Sequence, residues 1–419
     1  LPQTLGLGET YWTRAIEGEE EFFKMYASVI NSRKTLEGHS AGARNRNLAA
    51  YFAAGITSCH EPISVQEVKE RLRLGAYVTI REGSIRRELE AIAPIAGEDI
   101  DLRRLGLCTD GVFPDDLVDC GVMEFVVQKA IDLGFDPVRA IQMATLNNAQ
   151  RFNLDNRLGG IAPGKYADMV IIPSLKEIRA ECVISNGKVI ARDGKLVVPP
   201  RFCEYPEEVR KAFRITTRFK PEDFSLPAGK TGGTATVRII KMLSDMITAE
   251  ETAELPVAGG AIPARPEKDI LKVAAVSALD GRAMTVALVK GFGLRQGACA
   301  VSYTWDAPHL VIVGTNDRDM AVLANHIAGS GGGFGVCIDG EIVADLPLPV
   351  GGCISDRPLP EVAAKLKEIN RLLINLGYSH CRPTLGLQVF TFVGVPALRI
   401  SSEGLISTKD KKFVDVVIS

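Results

Sequence analysis

The 419-residue sequence predicts an α/β fold whose first part is a parallel sheet, and two observations carry that expectation. Five short β-like segments, residues 4–9, 34–39, 55–60, 77–82 and 105–110, are separated by helical sequence. That rhythm belongs to a parallel barrel or a doubly wound sheet. The second observation is that four segments end on metal-binding residue types, Glu9, His39, His60 and Asp110. C-terminal strand ends face the catalytic mouth in such folds, so the four would converge around a metal that generates hydroxide for hydrolysis.

The remaining elements follow in order. Residues 19–31 read as a helix, with Phe22, Phe23, Tyr26 and Ile30 forming an apolar stripe. Ser64 and Glu67 form a capping box that opens a helix to about Leu74. Asp136-Pro137 places a polar cap before a proline at the first helical position, and the helix runs to about Arg151. A turn cluster at 159–168 leads into short strands at 169–172, 182–185, 188–191 and 196–198. Asn186-Gly187 between two of them is a type I′ hairpin pattern. This β-sandwich segment of about 40 residues is too thin to hold a core alone. Pro199-Pro200 marks a boundary. Beyond it the chain is α+β, with strands near 237–242, 283–288, 298–303, 310–313 and 336–338 and an amphipathic helix over 360–377. The expected division is therefore 1–155, 156–200 and 201–419.

Composition narrows the function. Hydrophobic residues make up 46% and charged residues 24%, which is the make-up of an ordinary globular protein. Forty-nine basic and 51 acidic residues nearly cancel, and no long basic run offers a nucleic-acid or anionic-membrane surface. No apolar run is long enough for a bilayer. Nine cysteines without paired spacing favour reduced thiols and a cytoplasmic location over a disulfide framework.

Each candidate residue also has a plainer reading. A glutamate at a strand end such as Glu9 is by itself more often solvated or ion-paired. His39 and His60 are two of only five histidines, and their 21-residue separation is about one βα unit. Neutral imidazole suits zinc, iron or manganese, although two structural histidines would look the same. Asp110 precedes Gly111 and reads alone as a turn residue. In the ensemble it becomes a metal ligand that also takes a proton from bound water. Arg81 and Glu82 end the intervening strand, facing the mouth to contact substrate or orient a ligand, with Glu82 also a catalytic candidate. Ser84 beside them reads equally as a helix cap. The glycine run at 329–335 lacks the Lys-Ser or Lys-Thr of a phosphate loop and reads as a turn. Residues 305–309, with Asp306, read either as a substrate-reaching loop or as a surface turn. His326 and His380 show no ligand spacing.

These residues resemble the bacterial adenine deaminases of the amidohydrolase superfamily, through nearly the whole chain. The resemblance is carried by Leu7-Gly8-Glu9, Gly38-His39, Thr57-Ser58-Cys59-His60-Glu61, Ile80-Arg81-Glu82-Gly83-Ser84 and Thr109-Asp110. It continues in Met143-Ala144-Thr145-Leu146-Asn147, Lys290-Gly291-Phe292-Gly293-Leu294 and Leu346-Pro347-Leu348-Pro349. It implies a TIM-like (β/α)8 barrel holding two divalent ions, of manganese, iron or zinc. Glu9 would bridge them, His39, His60 and Asp110 would be ligands, and Asp110 would shuttle the proton. Metal-bound hydroxide would attack C6 of adenine and release hypoxanthine and ammonia. A small-molecule purine substrate and a homo-oligomer are expected with it.

The sequence departs from the family pattern in two ways. No His-x-His pair occurs, and Glu9 corresponds to the fourth strand end of eight, so about three βα units are expected before Leu1 to complete the barrel. Cys59 and Gly111 stand where the family has aspartates, Val122 where it has a histidine, and the 305–309 loop keeps only its aspartate. The alternatives are therefore a hydrolase of a related purine or other cyclic amide or amidine, and an inert ligand-binding homologue.

Overall fold

The computed structural model describes residues 3–201, 203–305 and 307–419, and the chain divides into two units with the boundary between residues 202 and 203. In the first unit, five strands alternate with helices: β1 (Gly6–Tyr11), β2 (Thr35–His39), β3 (Ser58–Cys59), β4 (Tyr77–Arg81) and β5 (Leu105–Cys108). β1 pairs with β2, β3 with β4 and β4 with β5, all parallel. The Thr57 amide donates to Leu36 O at 2.9 Å and the Tyr77 amide to Thr57 O at 2.9 Å, which carries the series from β2 through β3 to β4. Strand order therefore follows chain order. A doubly wound sheet would reverse at a switch point.

Burial explains why these short segments are strands. β2, β4 and β5 are buried along almost their whole length, as parallel strands covered by helices must be. Val78, Ile80, Leu105 and Leu107 pack with Val68 of helix Val65–Arg73 and with Val126, Ala130 and Met143 of later helices. Fully burying one such aliphatic side chain contributes about 1.5–3 kcal/mol. A second cluster of Ala15, Tyr26, Leu36, Tyr51 and Ile56 closes over β1 and β2.

Three local expectations are modified. β1 does not stop at Glu9 but continues to Tyr11 through an irregular register. Only half of the capping box forms: Ser64 accepts the Glu67 amide, while the Glu67 carboxylate accepts from Ile63 N and Arg44. The Glu67 side chain is diverted because an arginine from a neighbouring loop is a stronger partner than one amide. The helix expected to run to Arg151 breaks at Thr145 (φ −127°, ψ −84°) into Pro137–Ala144 and Leu146–Arg151. Thr145 donates its hydroxyl back to Ile141 O at 2.7 Å, a bond that bends helices. The break lets Asn147 donate to the carbonyls of Leu102 and Leu105 under the sheet.

The small module consists of β6 (Met169–Ile171), β7 (Cys182–Ser185), β8 (Lys188–Arg192) and β9 (Lys195–Leu196) in one antiparallel sheet. Asn186 and Gly187 both have positive φ (49° and 75°), as a type I′ turn requires. Of these strand residues Cys182 alone is buried, so the layer has little core of its own.

The second unit is built on eight strands: β10 (Thr234–Met242), β11 (Thr248–Pro256), β12 (Ile270–Ser277), β13 (Met284–Lys290), β14 (Ala298–Val301), β15 (His309–Gly314), β16 (Gly333–Ile338) and β17 (Glu341–Pro347). Their order is β11-β10-β13-β12-β15-β14-β16-β17, with β10 and β13 parallel and the other neighbours antiparallel. Helix Asp317–Gly329, capped by Asn316, packs Met320, Leu323, Ala324 and Ile327 against this sheet. The glycine run forms the turn from that helix into β16, with φ of 73° at Gly331 and 114° at Gly332. Among the described residues no helix is long and apolar enough to cross a membrane.

Candidate metal centre

Glu9 in the second half of β1, His39 at the end of β2 and His60 just after β3 meet, with one ligand atom from each lying within 4.8 Å of the others. Backbone irregularity delivers Glu9. The β1–β2 register shifts between Leu7 and Thr10, and Glu9 itself has φ 36°. Such a bulge releases a residue from the ladder and re-aims its side chain. Gly38 performs a related task beside His39, since a Cβ there would lie 2.2 Å from Ser58 O and hold β2 and β3 apart.

Glu9 Oε1 lies 3.3 Å from His60 Nε2, and Glu9 Oε2 lies 3.8 Å from His39 Nδ1. The two imidazoles stand edge to face, 5.6 Å between centroids, and Tyr11 leans on His39 at 4.5 Å. Tyr51 braces the pair of strands from below. Its hydroxyl accepts the His39 amide at 2.9 Å and donates to Thr10 O.

One participant was not among the residues selected from the sequence. Glu61, almost fully buried, places Oε1 2.9 Å from His39 Nδ1 and 3.1 Å from His60 Nε2. Neither approach has hydrogen-bond alignment, and both Glu61 Oε1 and His39 Nδ1 lack a hydrogen-bond partner. Buried polar atoms are rarely left so. Glu61 directly follows His60 in sequence, and that adjacency was the available clue.

The charges reinforce one another. Burial would raise the Glu61 carboxyl, but the two imidazoles and the Ser40 amide outweigh it and hold the group down at about 2. The close approach of His60, aided by the charges of both imidazoles, holds Glu9 below the ordinary carboxylate range against partial burial. Burial opposes the charged form of His60, yet Glu9, Glu61 and Asp110 together move it upward. Two nitrogens facing two ionised carboxylates, with buried donor atoms unpaired, fit a divalent cation in both charge and chemistry.

The other selected residues are placed differently. Asp110, at φ 59° after β5, lies outside the group of mutually close ligand atoms. It accepts from Arg81 Nη1 at 3.0 Å, and its charge contributes to the shift of His60. Arg81 also grips Glu88, at 3.1 and 3.3 Å. Glu82 is buried and accepts from Lys129 at 2.8 Å. Asp306 lies outside the described residues. Nearby Trp305 donates to Gln388 at 3.1 Å, and His326 pairs with Asp345 at 2.9 Å.

Residues 19–196 match the family described as "Amidohydrolase family" and residues 245–412 the "Adenine deaminase C-terminal domain". Adenine deaminase of Moorella thermoacetica is 36% identical over 423 residues, covering 99% of this chain and 71% of that protein. The chain belongs to the adenine deaminase family. The adenine deaminase of Desulforamulus reducens is 36% identical, covering 98% of this chain and 70% of its own length. That of Cenarchaeum symbiosum is 35% identical, covering 100% and 68%. Hydrolysis of carbon–nitrogen bonds and divalent-metal dependence are traits of the adenine deaminases and amidohydrolases. Among the described residues, Glu9, His39 and His60 form a group whose ligand atoms could hold such an ion.

Proposed function

We propose that this protein hydrolyses adenine to hypoxanthine and ammonia with divalent metal held by Glu9, His39, His60 and Asp110. The observation that carries the reading is the convergence of Glu9, His39 and His60 on successive parallel strand ends in an adenine deaminase family chain. Two imidazole nitrogens and carboxylate oxygens suit manganese, iron or zinc, and the family pattern suggests two ions. When bound, such an ion brings the pKa of water from 15.7 toward about 7, which makes a nucleophile available at neutral pH.

The chain's own residues would do the rest. Asp110, reachable from solvent yet tethered by Arg81, is suited to take a proton from water and pass it to the leaving amine. Arg81, fixed by Glu88 on one side, holds Asp110 in the conformation this transfer needs. Glu82, at the adjoining position, would serve substrate binding and proton transfer from its contact with Lys129. Asp306 would be a further purine contact. β1–β5 would form the later part of a (β/α)8 barrel, since they run parallel in chain order and β1 pairs on one edge with β2. Residues 156–200 would form the small β module and 201–419 the C-terminal domain. Nine free thiols fit a reducing, cytoplasmic setting. The enzyme would work as a homo-oligomer, which light scattering on the purified protein tests.

The substitution at Cys59 does not favour a different substrate. Its side chain is fully buried and bonds with Ser40, Glu61 and Arg71, so it bears on support of the site. The test is incubation of manganese- or iron-loaded protein with adenine. The absorption spectrum should convert to that of hypoxanthine with one ammonia released per turnover. Loaded protein that turns over no aminopurine refutes the substrate assignment.

A further inference from the structure

Glu61 has no part in the ligand set derived above, yet it occupies the same space. We propose that Glu61 is a ligand of the ion held by His39 and His60, locked in place by a Cys59–Ser40–Arg71 relay that this sequence provides. The inference rests on the metal-dependent reading and deepens it.

Spacing is the first support. Donors bound to one ion at about 2.1 Å stand about 3.0 Å apart at a right angle and about 3.4 Å apart at the tetrahedral angle. Glu61 Oε1 is 2.9 Å from His39 Nδ1 and 3.1 Å from His60 Nε2, and those two nitrogens are the ones turned toward Glu9. Satisfaction is the second. Oε2 of Glu61 accepts from the Ser40 amide at 2.9 Å and from the Cys59 thiol at 3.1 Å, whereas Oε1 has no hydrogen-bond partner. One anchored oxygen and one free oxygen is the arrangement of a preset monodentate ligand with its supporting bonds already made.

Anchoring is the third. The nearby guanidinium of Arg71 does not supply a direct pair. Its Nε donates to Ser40 Oγ at 3.1 Å and Cys59 Sγ at 3.2 Å, and its Nη atoms donate to the Glu67, Ser40 and Ala43 carbonyls. Ser40 donates its hydroxyl to Cys59 Sγ at 2.8 Å, so donors point in one direction, from Arg71 through Ser40 and Cys59 to Glu61. An aspartate at position 59 would set a second negative charge against Glu61. The thiol avoids that repulsion and leaves Glu61 free to face the imidazoles.

Cobalt(II) titration of the full chain, followed by visible absorption and elemental analysis, tests the assignment. Wild type should bind cobalt, and Glu61→Gln should bind at least tenfold more weakly with an altered absorption band while circular dichroism is unchanged. An E61Q isotherm and spectrum identical to wild type overturn the assignment and leave the metal-dependent reading intact. A wild type that takes up no cobalt, manganese or zinc overturns both. Should E61Q fail to fold, Cys59→Ala decides, because it removes one anchor of Oε2 and keeps the carboxylate. Weakened cobalt binding with a shifted band supports the relay, and unchanged binding and spectrum refute it.

Discussion

Tyr51→Phe removes one oxygen and should loosen the metal centre from beneath. The Tyr51 hydroxyl is completely buried, accepts the His39 amide at 2.9 Å and donates to Thr10 O. It thereby ties the residue after Glu9 on β1 to the ligand on β2. Without it, the His39 N–H and the Thr10 C=O lose this partner in the interior, and Thr10 Oγ1 loses its 3.1 Å contact with the hydroxyl. Thr10 Oγ1 retains its bond to Glu37 O at 3.1 Å. Each orphaned buried group costs about 1–3 kcal/mol, and relief of the hydroxyl's own burial returns part of this, giving a net loss of about 2–3 kcal/mol. Urea denaturation with an unchanged m-value measures it. Tyr26→Phe is the matched control, because the Tyr26 hydroxyl is buried near Thr10 but out of hydrogen-bond geometry. That variant should be neutral or slightly stabilised. If Y51F loses less than about 0.5 kcal/mol, or Y26F loses as much as Y51F, hydrogen bonding at Tyr51 does not hold the strands.

Four further outcomes are expected. Asp110→Asn should lower ammonia release by about 10²–10⁴-fold while melting close to wild type, since its carboxylate is partly exposed and its proton transfer is the role at stake; near-normal turnover would remove Asp110 from the reaction. Lys129→Met should cost about 3 kcal/mol in denaturant, because it strands the buried Glu82 charge, and Glu82→Gln on top of it should recover part of the loss. Thiol labelling at pH 8, mapped by mass spectrometry, should modify exposed Cys120, Cys203, Cys353 and Cys381 and spare Cys59, whose thiol is buried and pushed up to about 12. Glu251 is held below the ordinary carboxylate range by hydrogen bonds from Lys241 and Lys290, so its stabilisation is present above the unfolded-state pKa and lost as pH falls through the lower folded value. Glu251→Gln should therefore cost under about 1 kcal/mol at pH 7, and the gap to wild type should close in acid and shrink in 1 M salt.

The parallel part of the fold was readable because its strands are short apolar runs bounded by helical sequence, and each ends in a polar residue at a similar interval. β11 and β12 were not. The sequence of β11, Thr-Ala-Glu-Glu-Thr-Ala-Glu-Leu-Pro, is rich in Ala and Glu and lies at the sheet edge, where pairing overrides weak strand propensity. β12 is buried on both faces, so the alternation that marks a strand is missing. Helix Asp317–Gly329 was overlooked for a similar reason, being covered on so many sides that its apolar stripe is blurred.

For the site, residue type and interval were enough to select Glu9, His39 and His60, because a strand end in a parallel sheet has one direction in which to point. The same information could not say that Glu9 leaves the ladder through a bulge, that Asp110 is tethered by Arg81, or that Glu82 pairs with Lys129. Nor could it reveal that Glu61 turns inward to the imidazoles. Those outcomes depend on which buried charge finds which partner among residues up to 47 positions apart. In a low-dielectric interior an unmatched charge is so costly that the nearest adequate donor decides the geometry, and only the folded chain determines which donor is nearest.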